Sequence, residues 1–143
     1  MDYRWDDTVA AGLKDDLDRL VYLSNLVGAD PNLAQAGGGN TSYKGVENDF
    51  AGRDIETLWV KSTGADLRDI DRSGFTAIRL EEVRLLRHKM SMTDEEMMAF
   101  MAACMVDVRH PLPSIETLLH VIPPWKWIVH THDVAVPALT DTP

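Results

Sequence analysis

Cysteine is almost missing. Cys104, alone in 143 residues, cannot close an internal disulfide or supply a set of thiolates for zinc, which excludes a disulfide-stapled scaffold and a zinc finger. Basic charge is also short: 14 Lys and Arg stand against 23 Asp and Glu, a formal net charge of −9. That sign opposes counterion-release binding to DNA or RNA, so no nucleic-acid partner is expected. Long apolar runs are lacking too. The longest, residues 97–106, falls far below the roughly 20 residues that a bilayer-crossing helix needs. Asp2, Asp6 and Asp7 stand where a secretory leader needs a basic stretch followed by an apolar one. These absences predict a cytoplasmic protein with no membrane partner.

What is present is the mix of one globular domain over residues 1–143: 45% hydrophobic and 26% charged. From Val9 to Val27 apolar residues recur at three- and four-residue steps, which predicts one amphipathic helix stopped by Gly28. After the glycine run 37–39, Ile55 to Lys61 reads as a buried strand, with a partner strand joined to it near residues 45–52. Phe75 to Leu80 reads as another strand leading into a helix over 81–89. Thr93-Asp94-Glu95-Glu96 has capping-box form, and the Met-rich run behind it predicts a mostly buried helix to about Val106. Ser114 opens a further helix with Ile115, Leu118, Leu119 and Ile122 on one face, closed by Pro123-Pro124. Trp127 to His132 reads as a strand, with apolar residues following to Leu139. Helices and strands alternate, so the fold class is α/β.

The residues able to carry chemistry lie between these elements. On a strand, His130 and His132 project from one face, about 6.5 Å apart along the chain, which suits two imidazole ligands of one metal. The same spacing also fits two histidines satisfied by ordinary hydrogen bonds. Glu116, in the first turn of the preceding helix, could reach that metal or a substrate carbon as ligand or general base. It could equally be an acid placed to suit the helix dipole. His120, four residues on, reads as a structural residue, and His88 and His110 as surface or turn histidines. The backbone of Gly37-Gly38-Gly39 with Asn40 can approach an anion closely, or simply form a flexible turn. No Gly-Lys-Ser/Thr follows it, and it lacks the spacing of a dinucleotide fingerprint. Thr63 and Gly64 would be a second donor set if their loop converged with the first.

In combination these motifs are more telling. Gly37 to Ser42, Ser62-Thr63-Gly64, Pro113-Ser114-Ile115-Glu116 and His130-Thr131-His132 occur in an order that resembles the class II aldolase/adducin family, over nearly the whole chain. Within that family, residues 20–26, 58–61 and 113–120 look like the aldolase part of bifunctional rhamnulose-1-phosphate aldolase/dehydrogenases. The resemblance implies a three-layer α/β/α sandwich and a zinc-dependent retro-aldol cleavage of a ketose 1-phosphate to dihydroxyacetone phosphate and an aldehyde. It implies Glu116 as the proton-moving catalytic residue, and Gly39, Asn40, Thr63, Gly64 and Ser114 as holders of the substrate phosphate. His130 and His132 would be zinc ligands. It also implies a homo-oligomer, a tetramer in the family.

One departure is visible. The family uses a further histidine beyond the His-x-His strand, and none follows His132 here. The chain is therefore expected to be C-terminally incomplete and to bind zinc weakly unless Glu116 or another group completes the site. A sugar-phosphate 4-epimerase of the same fold and a non-catalytic adducin-like interaction module are the competing readings.

Overall fold

The computed structural model describes residues 4–135. The end of the apolar stretch expected to reach Leu139 lies outside the described residues. The expected first helix is two: α1 (Asp7–Ala11) and α2 (Asp16–Gly28). The apolar period runs on across the break, but Asp15 adopts an extended conformation and its carboxylate accepts from the Asp18 N–H, so α2 starts from its own N-cap. Gly28 ends α2 as expected. It also lets the chain at residues 67–68 pass close by, since a Cβ there would lie 2.2 Å from the Arg68 backbone nitrogen.

Strand β1 (Asn40–Asn48) begins inside the stretch expected to be loop, and pairs antiparallel with β2 (Asp54–Lys61) through the turn at 49–53. Next come β3 (Phe75–Arg79), α3 (Leu80–Arg84) and a short 3₁₀ turn at 85–88. Helix α4 (Asp94–Ala103) carries the full capping box at Thr93 and Glu96. It stops before Val106 and buries Met101 alone, so the expectation of a mostly buried helix fails: its other methionines lie at the rim. Helix α5 (Thr117–Val121) is only five residues long and starts after Ser114, not at it. Strand β4 (Trp127–His130) completes an antiparallel sheet of order β3-β2-β1-β4, and His132 lies beyond its end.

Period-two alternation sorts the sheet into two faces. Leu58, Val60 and Ile78 face one side and pack with Leu80 and Val83 of α3 and Val121 of α5. Tyr43 and Phe75 face the other and pack with Leu17 and Leu20 of α2. Helices cover both faces, which is the three-layer α/β/α arrangement. Among the described residues no helix is long and apolar enough to cross a membrane.

Helix α5 meets the sheet mainly with a side that its apolar spacing does not predict, and of the expected face only Leu118 packs against the core. Thr117, His120 and Val121 are buried, whereas Ile115, Leu119 and Ile122 are 50%, 54% and 80% exposed. The reason lies in the register. Asn40 pairs with His130 and Ser42 with Ile128, so the face of the sheet beneath this helix is polar at Asn40, Ser42 and His130. A polar helix side fits there.

Candidate functional site

The site grows out of that polar patch. His120 is fully buried, and its Nδ1 lies 2.7 Å from the Ser42 hydroxyl. Burial pushes its pKa down to about 4, with the His130 charge acting in the same direction, so it is a neutral imidazole at neutral pH. Its ring lies nearly parallel to that of His130, centroids 6.2 Å apart. On the opposite face Thr41 bonds to Ser24 of α2 at 2.6 Å, which anchors the start of β1 from both sides.

Glu116, one turn before His120, reaches the end of β4. Its Oε1 lies 2.9 Å from His132 Nε2. The His130 and His132 rings stand 5.0 Å apart. One ligand atom from each of Glu116, His130 and His132 lies within 4.8 Å of the others, the one group of this kind among the described residues. Two imidazoles and a carboxylate are a donor set for a divalent metal, which would draw them closer together than this spread. Partial burial raises the Glu116 pKa, but the hydrogen bond with His132, the His130 charge and the nearby Asn40 carboxamide together hold it below its ordinary value. Asn40 is itself fully buried, and neither its amide nitrogen nor its oxygen makes a hydrogen bond of good geometry. Buried amides are rarely left so, and this one is suited to a polar ligand.

The three loops named by the sequence come together. Ser62 bridges to Pro113, Thr63 N–H donates to Leu112 O at 2.9 Å, and Ser114 N–H donates to Lys61 O at 3.2 Å. The glycine loop is tied to the same turn, with Gly37 N–H donating to Asp66 Oδ2 at 3.0 Å. The detail differs from a simple cradle. The Thr63 hydroxyl donates to Pro113 O at 3.1 Å, so both Thr63 donors are engaged within the protein. Ser114 Oγ accepts from the Glu116 N–H at 3.3 Å in a turn ahead of α5, which gives it no long helix N-terminus to lean on. Gly64 is exposed and Gly39 buried.

Sequence reasoning missed Lys61. This lysine is 3% exposed, and its Nζ donates to Ala65 O at 2.7 Å and Gly37 O at 3.4 Å. Burial lowers its pKa, while the Glu116 and Asp66 charges work the other way. A cation ending the apolar run Leu58-Trp59-Val60 was the available signal. Ser42 and its link to His120 had none, because that contact depends on register. Of the remaining histidines, His88 is exposed and His110 lies half-buried against Trp59, ring centroids 5.7 Å apart.

The class follows from this fold and these motifs: the pattern of the class II aldolase and adducin N-terminal domain matches residues 18–142, and the chain belongs to that family. The structure of the N-terminal class II aldolase domain of a conserved protein from Thermoplasma acidophilum superposes with a TM-score of 0.91 at 42% identity. That match covers 99% of this chain and 65% of the Thermoplasma one. A Bacillus subtilis protein named "Uncharacterized oxidoreductase YuxG" is 46% identical over 132 residues, which are 92% of this chain and 19% of that protein.

Proposed function

We propose that residues 1–143 form the N-terminal part of a class II aldolase domain that uses zinc to cleave a ketose 1-phosphate, rhamnulose 1-phosphate first among them, into dihydroxyacetone phosphate and an aldehyde. The observation that carries this reading is the convergence of Glu116, His130 and His132 beside the glycine loop. A bound zinc would act as a Lewis acid on the substrate carbonyl. In the cleavage the C3–C4 bond breaks, its electron pair stays with the dihydroxyacetone fragment, the C4 hydroxyl loses its proton, and a proton reaches C3. Glu116 is the group placed to move those protons; tied to the metal as a ligand it would be a poor proton shuttle, so that role needs it free. Gly39, Asn40, Thr63, Gly64 and Ser114 would hold the phosphate in this reading, and the buried Lys61, whose Nζ donates to Gly37 O and Ala65 O, brings positive charge to the glycine loop. Asn40 offers the unpartnered amide.

The oxidoreductase in the Bacillus protein's name describes a chain of which this one matches 19%, so it sets no activity here. A homo-oligomer and a cytoplasmic location belong to the same proposal, and sedimentation analysis decides the first.

The test is to supply the chain with zinc and rhamnulose 1-phosphate and to follow dihydroxyacetone phosphate by coupled reduction. The proposal expects weak turnover at most from residues 1–143, which lack the family's further histidine, and a loss of roughly 10²- to 10⁴-fold in Glu116→Gln when the same residues stand in a chain that carries that ligand, the range for removing a general acid-base group. Isomerisation of a pentulose 5-phosphate without cleavage would instead favour the 4-epimerase. Metal binding with neither reaction would favour the interaction module.

A further inference from the structure

The middle glycine of the run 37–39 has a different task from its neighbours. Gly37 and Gly39 both have φ of 75°, so a side chain at either would strain the backbone. Gly38 has no such φ. Alanine is allowed there by the backbone, and only the surroundings argue against it. A Cβ on Gly38 would stand 2.9 Å from His132 Nδ1 and 3.3 Å from Gln35 O. Nor is the Gly38 N–H available to an anion, since it donates to Gln35 O at 2.8 Å.

We propose that Gly38 is a positioning residue for His132: the missing side chain leaves the space in which the imidazole lies, with Nε2 turned to Glu116. The rest of His132 is already fixed. Its backbone N–H donates to Leu33 O at 2.9 Å, on the same approach to the glycine run, and its Nε2 sits 2.9 Å from Glu116. The ring is thus held between Gly38 on its Nδ1 side and Glu116 on its Nε2 side. Because β4 ends at His130, no ladder bond of that strand orients His132, and the loop takes over that work. The glycine run therefore serves the proposed metal end as well as the proposed phosphate end. This inference rests on the metal reading above for its chemical meaning, but the placement of the ring does not depend on metal.

The experiment compares wild type, Gly38→Ala and the control Gly12→Ala, whose added Cβ would meet only ordinary contacts, the nearest at 3.5 Å. Circular dichroism first establishes that Gly38→Ala keeps the wild-type fold, as expected when the closest contact falls on a half-exposed ring and the backbone contact, Gln35 O at 3.3 Å, has to give by only a few tenths of an ångström. Imidazole nitrogen NMR on metal-free protein, with His132 assigned through His132→Gln, then reads the ring directly. The His132 signals should shift in Gly38→Ala and stay in place in Gly12→Ala. Zinc titration should show affinity weakened by about 10- to 100-fold in Gly38→Ala, the range seen when a ligand loses its orienting neighbours. Unmoved His132 signals in Gly38→Ala overturn the inference, whatever the metal result. Moved signals with no zinc uptake even in wild type would uphold the placement and sink the metal reading instead.

Discussion

Two pairs of polar residues hold each other under α5. His120 is tethered to Ser42, and Glu116 to His132, with the amide of Asn40 unpartnered between them. Replacing His120 by Phe fills the space but leaves the Ser42 hydroxyl buried without its partner, a cost of about 1 to 3 kcal/mol by urea unfolding. Ser42→Ala should cost a similar amount, and the double variant less than the sum, because the two share one bond. Full additivity would show that the bond contributes nothing. The motif residues themselves were legible in the sequence because their chemistry is local: His-x-His and the acid ahead of it keep their meaning at any register. Lys61 and Ser42 were not, since what they touch is decided by chain segments far away in sequence.

At the scale of elements, the sequence announced where most helices and strands lie, and it failed where two periodic runs abut or where a helix docks on polar ground. The break between α1 and α2 is set by Asp15, which caps α2 and pairs with Arg72 at 2.8 Å. Asp15→Ala should destabilise by about 1 kcal/mol, the usual effect of losing an N-cap. The Arg72 hydrogen bond is the largest influence on Asp15 and holds its pKa below the ordinary 3.8. The unfolded chain thus takes up this proton at higher pH than the folded one does. The Asp15 contribution is fully present above the ordinary value and is lost as pH falls through the lowered one, so Arg72→Ala should make unfolding less acid-dependent in that range. Helix α5 supplies the opposite test. Its Leu119 lies on the face that periodicity assigned to the core, yet it is exposed. Leu119→Lys should change unfolding free energy by no more than about 0.5 kcal/mol, and a loss of several would show that the face is covered.

For the molecule as a whole, the two-faced sheet explains how the site arises. Apolar residues of β2 and β3, joined on the α2 face by Tyr43 of β1, build the cores, while β1 and β4 carry Asn40, Ser42 and His130 to a polar end where the loops at 37–39, 62–64 and 113–116 meet. Alternating elements made the α/β class legible. The antiparallel order β3-β2-β1-β4 was not, because pairing partners leave no trace in local spacing. Stability therefore resides largely in cores that contain none of the proposed metal ligands, and removing those ligands should spare the fold. The most direct test is calorimetric zinc titration of wild type beside the double variant His130→Ala/His132→Ala, with circular dichroism on both. The account predicts saturable uptake of one zinc per chain by wild type and none by the double variant, at unchanged secondary structure. Equal uptake by both, or none by wild type, would contradict it.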